Sequence, residues 1–303
     1  MTDGSSPFAR LPAELIHYIL GIAASSSKHS CLDICLVSSW ARHIALPNLF
    51  HTVVIHNHSQ FDKYLAGPSH IPLYSDIRVA PLICNVWMEG MQAVDRDIVT
   101  VFEACDKITH LALDTYNFKN LVLSSIPVTT VGNRKRLSRR ALTRPHDLHL
   151  TVLDSSRFSW ILRPHFVDKS PIFDKITHIR VAAIDSYHTR ESLDHFSRLS
   201  HFAVAYYDAD HHKPRHLQTF LDLRSLTMLV VAIVKDAVGE GRLKKLEQWV
   251  QTVRKTDARV YLVETPSHRF VFQDEWESEM RGGGSIWDRA VQYTTEWEAQ
   301  RSL

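Results

Sequence analysis

The densest group of metal-ligating side chains is YYDADHHKPRH, Tyr206 to His216, with Asp208, Asp210, His211, His212 and His216. Zinc requires three or four such ligands converging tetrahedrally. This stretch reads as one strand-to-helix loop without a second, distant ligand set, so the expectation is a solvated polar loop and no metal. His110, His178 and His201 recur at equivalent places in a repeated pattern and read as strand residues, not as catalysts. The four cysteines, Cys31, Cys35, Cys84 and Cys105, lack zinc-site spacing and suit unpaired thiols in a reducing compartment. No G-x-S-x-G, phosphate-binding loop, dinucleotide glycine pattern or paired-carboxylate motif is present. The run Arg281 to Gly284 lacks the Lys-Ser or Lys-Thr of a phosphate cradle and reads as a hinge. Neither catalysis nor a cofactor is expected.

Composition narrows the class further. The chain has 303 residues, 45% hydrophobic and 22% charged, which is ordinary for a folded globular protein. The formal net charge of +2 points to neither nucleic acid nor membrane. The basic run Val131 to Arg144 has no interleaved aromatics for base stacking and reads as a surface loop or nuclear address. No stretch reaches the roughly 18 apolar residues of a membrane span, and the polar start MTDGSSPFAR is unlike a signal peptide. The expected location is the cytoplasm or nucleus, with no nucleic-acid and no membrane partner.

The elements that must position these residues emerge from a repeat. KITHLAL (107–113), KITHIRV (175–181) and RLSHFAV (198–204) share one alternating apolar pattern. Weaker copies are HDLHLTV (146–152), SLTMLVV (225–231) and ARVYLVE (258–264). Alternation predicts half-buried strands. Helical spacing appears between them: Met91 to Cys105, RESLDHFSRL (190–199), RHLQTFLDL (215–223) and LKKLEQWVQTVRK (243–255). A strand plus a helix repeated at about twenty to forty residues predicts an irregular αβ solenoid. An ordinary α/β sheet is the alternative. A final helix follows, with Ile286, Trp287, Ala290, Tyr293 and Trp297 on one face.

The N-terminal fifty residues have a different texture. Pro12 suits a first helical position and Glu14 the first turn. Leu15, Ile19, Ile22 and Ala23 form one stripe; Ile16 and Leu20 form a second. AASSSKHS (23–30) is expected to break the helix, a second helix to run from about Cys31 to Ala45, and Pro47 to end it or force a turn. LFHTVVI reads as an extended or helical exit. A unit this small is marginal on its own core, so apolar surface on two sides suggests completion by a partner.

LPAELIHYIL followed by LDICLVSSWARHIALPNLFHTVVI resembles an F-box over residues 8–55. The pattern is carried by Leu11, Pro12, Glu14, Leu15, Ile16, Ile19 and Leu20, then Leu36, Val37, Trp40, Leu49 and Phe50. The remainder resembles the degenerate leucine-rich-repeat-like region of fungal-type F-box proteins. The resemblance implies an α/β protein: a small helical F-box (8–55), an irregular αβ leucine-rich-repeat-like solenoid (70–272) and a C-terminal helical tail (273–303). It implies a substrate-recognition subunit that is not itself an enzyme. Leu11, Pro12, Leu15, Ile16, Ile19, Leu20, Leu36, Val37, Trp40, Leu49 and Phe50 would contact a Skp-type adaptor and, through it, a cullin. An interaction scaffold outside any ligase is the alternative, and an α/β enzyme with an unrecognised site a weaker one.

The repeat domain would hold an unknown protein substrate. With Leu111, Leu113, Ile179, Val181, Phe202 and Val204 facing inward, Ala112, Arg180 and Ala203 should face outward beside strand-end residues such as Asp114, Tyr116, Asp185 and Asp210. Arg180, Tyr187, Tyr206, Tyr207 and Asp208 are the expected substrate contacts, and tyrosine is favoured at interfaces. A target with a basic patch would fit them.

Overall fold

A computed structural model of the chain describes residues 11–57, 59–60, 79–90, 97–126, 136–153, 170–182, 193–206, 214–234, 237–265 and 269–301. The described residues form a mixed α/β protein with ten α-helices around one eight-stranded sheet. Three helices lead: α1 (Ala13–Ser26), α2 (Lys28–Val37) and α3 (Ser39–His51). Then come β1 (Thr52–Ile55), β2 (Asn85–Met88), α4 (Asp97–Ala104), β3 (His110–Leu113), α5 (Thr115–Ser125), α6 (Arg139–Leu142) and β4 (Leu148–Val152). The chain continues through β5 (Ile176–Val181), β6 (His201–Tyr206), α7 (Pro214–Leu221), β7 (Met228–Val234), α8 (Glu240–Arg254) and β8 (Val260–Thr265). Two helices, α9 (Arg269–Met280) and α10 (Ile286–Arg301), close it.

Every strand pairs parallel with the next, so spatial order and chain order coincide from β1 to β8. Parallel neighbours need a crossover between them. The residues of one sheet face, among them Leu111, Leu150, Ile179, Phe202, Leu229 and Leu262, share a core with the crossover residues Phe102, Phe118, Phe220, Leu246 and Val250. The opposite face is covered by the last two helices. Trp87 and Ala112 pack on Trp276 of α9, while Ala203, Val230, Ala232 and Val263 pack on Ile286 and Ala290 of α10. Burial on both faces explains why β7 reads MLVVAIV, a continuous apolar run rather than an alternating one.

All six strands expected from the repeat are present, and two more precede them. β1 lies in the range assigned to the helical module, and β2 is the short segment NVWM. AASSSKHS breaks the helix as expected, at the extended Ser27, but over one residue only, so that α2 starts at Lys28 rather than Cys31. The second helix is in turn divided at Ser38. Each serine accepts a hydrogen bond from the backbone N–H three residues on, Ser27 from Ser30 and Ser38 from Ala41, both at 3.0 Å. Pro47 does not end α3, which runs on to His51 with the proline on its exposed side, where the lost hydrogen bond faces water. The expected helix at 190–199 lies partly outside the described residues, and its described end, 194–199, is turns and irregular backbone. No helix among the described residues is long and apolar enough to cross a membrane.

Candidate docking surfaces

The helical module closes on itself through small side chains. Ala24, Cys31, Ile34, Cys35, Ala41 and Ala45 are buried together, with Leu20, Ala23 and Leu49 against them. Alanine and cysteine at these positions let the three helices approach closely. The Cys31 thiol donates to the Ala45 carbonyl at 3.2 Å, and Arg42 Nε donates to the Cys35 carbonyl at 3.0 Å near the end of α2. Burial, reinforced by Cys35, pushes the Cys31 thiol up to about 11, so it is a packing group and not a nucleophile.

Outside this small core, the module turns apolar surface to solvent. Leu36 is 80% exposed, Val37 72%, Tyr18 66% and Trp40 47%. Leu11, Leu15, Ile19, Ile22 and Leu32 are also exposed. Among the described residues only one other large apolar side chain, Val291, is comparably exposed. The eleven expected adaptor contacts therefore divide. Leu11, Pro12, Leu15, Ile19, Leu36, Val37 and Trp40 are exposed and Ile16 is half-buried. Leu20 and Leu49 support the module's own core, and Phe50 packs against the main core of the sheet. Tyr18 was missing from the expected set. It sits three residues after Leu15 and four before Ile22, so the stripe that contains them already points to it.

The expected substrate surface is not open. Arg180 does lie on the face opposite Leu111 and Ile179, as alternation requires, but it is 6% exposed beneath α9. Its guanidinium donates to Glu275 at 2.7 Å and Glu279 at 3.2 Å, and stacks 4.4 Å from the Phe272 ring. Arg289 of α10 pairs with the same two carboxylates. Two arginines and two glutamates thus pin both final helices to the sheet. Ala112 and Ala203 are completely buried under the same cover, and Tyr206 belongs to the main core. Asp114 is buried at the start of α5, where it accepts from the Asn117 and Gly90 N–H groups at 2.8 and 3.0 Å. Tyr187, Tyr207 and Asp208 lie outside the described residues, as do Asp185, Asp210, His211 and His212.

Neither a known family model nor a curated protein matches the chain.

The recurring histidines form a row across four strands. Register pairs His110 with His149, His149 with His178 and His178 with His201. Their ring centroids are 4.4, 3.8 and 4.1 Å apart, and Trp287 of α10 contacts the last two rings edge-on at 5.3 Å. His110 Nδ1 lies 3.0 Å from Asn85 Oδ1, while Thr177 and Ser200 hydroxyls lie 2.9 and 2.8 Å from Nδ1 of His178 and His201. Burial and the neighbouring imidazoles push His110 and His178 down to about 3, and burial with the charge of His201 two strands away pushes His149 to about 4. The row is therefore neutral at physiological pH. The rings of His149 and His178 are within 20° of parallel, as are those of His178 and His201, so adjacent nitrogens cannot aim at one ion. Among the described residues no group of three or more His, Cys, Asp or Glu is placed to hold a metal.

Two arginines at the end of the basic run are tied to the fold. Arg144 reaches back to the Cys105 and Glu103 carbonyls at 2.9 and 3.1 Å and lies 5.0 Å from the Phe102 ring centre. Arg140 pairs with Asp106 at 2.8 Å on the surface.

Proposed function

We propose that this chain is a substrate-recognition subunit of a Skp–cullin–F-box type ubiquitin ligase, with α1–α3 as the F-box. The observation that carries the proposal is the concentration of exposed apolar side chains on that module, from Leu11 to Trp40. Apolar patches of this kind on a folded protein mark interaction sites. Aromatic and aliphatic anchors such as Trp40, Leu36 and Val37 suit a partner's hydrophobic groove. The F-box-like order of Leu11-Pro12, Leu15-Ile16, Leu36-Val37 and Trp40 falls on this same module. On this reading the strands in chain order are a degenerate leucine-rich-repeat-like solenoid that carries the target, and ubiquitin transfer belongs to other subunits.

Co-expression with a Skp-type adaptor and a cullin tests the proposal. A stable complex at equal stoichiometry is the expected result. A folded chain that recovers neither protein sinks the reading.

A further inference from the structure

The basic run has no role in adaptor docking or in the repeat. Within it, NRKRLSRR (133–140) places Arg134, Lys135 and Arg136 ahead of Ser138, with Leu137 between, and Arg139 and Arg140 behind it. No other run of three consecutive basic residues occurs in the chain. Charge patterns of this kind are what protein kinases with acidic substrate clefts select.

The fold leaves the serine within reach. Residues 136–138 are neither helix nor strand, and Arg136, Ser138, Arg139 and Arg140 are exposed. Arg134 and Lys135 lie outside the described residues and enter through the sequence alone. Ser138 leads into α6, a helix of four residues, and its hydroxyl accepts from the Ala141 N–H at 3.1 Å. The same hydroxyl donates to Glu103 of α4 at 2.8 Å, and the Ser138 N–H donates to the other oxygen of that carboxylate. Leu137 is buried beside it, and its N–H donates to the Ser124 carbonyl at 2.9 Å. A short surface segment with so few buried anchors opens locally at small cost.

We propose that Ser138 is a phosphorylation site for a protein kinase that selects basic residues ahead of the acceptor, and that the phosphate detaches residues 136–142 from α4. The Ser138 oxygen attacks the γ-phosphorus of ATP, the bond from that phosphorus to the bridging oxygen breaks to release ADP, and the hydroxyl proton passes to the kinase's catalytic aspartate. The product carries a charge of about −1.5 to −2 at pH 7. The proton that Glu103 accepted is gone, and the phosphate faces that carboxylate directly. Asp106, paired with Arg140 at 2.8 Å, adds to the negative charge of this corner. A phosphate set against carboxylates disrupts the contact. The inference does not depend on the ubiquitin-ligase reading.

The test incubates the folded full chain with magnesium ATP and the catalytic subunit of the cyclic-AMP-dependent protein kinase, an enzyme of this class, in parallel with an acid-directed kinase. Mass spectrometry counts and places the phosphate. The expected result is one phosphate on Ser138 from the first enzyme and none there from the second. Lys135→Ala with Arg136→Ala should slow its transfer about tenfold. Amide exchange over residues 136–142 should quicken on phosphorylation. The quickening should be smaller in Glu103→Gln, whose side chain still accepts from Ser138 but carries no charge. Melting curves check that these variants are folded, and site mapping on the unaltered chain stands without them. Phosphate on Thr143 instead, which follows Arg139 and Arg140, overturns the proposal. So do transfer to Ser138 only in a heat-denatured chain, equal rates in the double alanine variant, and unchanged exchange in the fully phosphorylated protein.

Discussion

Thr294 closes the last strand of the sheet on Leu262: its hydroxyl accepts from the Leu262 N–H at 2.8 Å and donates to the Leu262 carbonyl at 3.2 Å. One side chain of α10 thereby satisfies both outward polar groups of a residue that has no further strand beside it. Thr294 is 1% exposed, so water cannot take its place. Replacing it by valine, nearly isosteric, should cost about 1–3 kcal/mol. Thr294→Ser should retain most of the stability. Urea unfolding of the three proteins measures both, and equal midpoints for valine and threonine are incompatible with this role.

Arg180 balances Glu275 and Glu279 in a site with little water. Arg180→Leu leaves two buried carboxylates facing Arg289 alone, and breaking such a pair costs about 3–5 kcal/mol. Burial already holds the Glu279 carboxyl above its ordinary range. A raised folded-state value means stability present below the unfolded value, near 4.5, and lost as pH rises through the folded one. The difference between wild type and Arg180→Leu should therefore shrink at pH 5 relative to pH 8. Paired denaturation curves at the two pH values check the sign.

The histidine row predicts acid lability. Folded-state values near 3 and 4 lie below the usual 6.5, so the folded protein binds fewer protons than the unfolded chain between those limits. The row's contribution is complete above pH 6.5 and is lost progressively as pH falls toward 3. The melting temperature should drop between pH 7.5 and pH 5. The double variant His149→Leu, His178→Leu should show a smaller drop, and an identical one would remove the row as the cause.

The helical module separates contact from core. Leu36 and Val37 touch solvent, so Leu36→Asp with Val37→Asp should leave melting nearly unchanged and abolish adaptor co-purification. Leu20→Ala, at the edge of the module's core, should instead lower stability by about 2 kcal/mol. The opposite pattern, in which the Asp pair unfolds the chain, contradicts the exposure of that face.

Three strands were legible from a shared start and alternating apolar residues, KITHLAL, KITHIRV and RLSHFAV, and three weaker copies, among them the continuous apolar run of β7, followed from their spacing after these. β1 and β2 are as short as β3 but lack the KITH-like start that marks it, and β1 follows α3 without a loop. Alternation also assigned Arg180 to the correct face. It could not show that the face was occupied, because periodicity within a strand says nothing about which distant helix lies on it. Two features bear on that covering: the apolar stripe of Ile286, Ala290 and Trp297 needs a partner, and Ala112, Ala203 and Ala232 leave room for one. The exposed apolar face of the helical module was legible as surplus apolar positions. Which of them serve the module's own core, as Leu20 and Leu49 do, depends on how three short helices cross.

The coincidence of chain order and strand order also sets how the molecule can be made. A strand leaving the ribosome finds its neighbour already in place, so pairing needs only short loop closures and the sheet can grow in one direction during synthesis. At each stage the newest strand is an open edge. The exception is the return of α9 and α10 across the second face, where Arg281 reaches back to the Asn48 carbonyl over most of the chain. Until those helices arrive, Trp87, Ala203 and Val230 remain uncovered and β8 remains a template for aggregation. Translation that stalls between β8 and α10 would therefore release the species most in need of a chaperone.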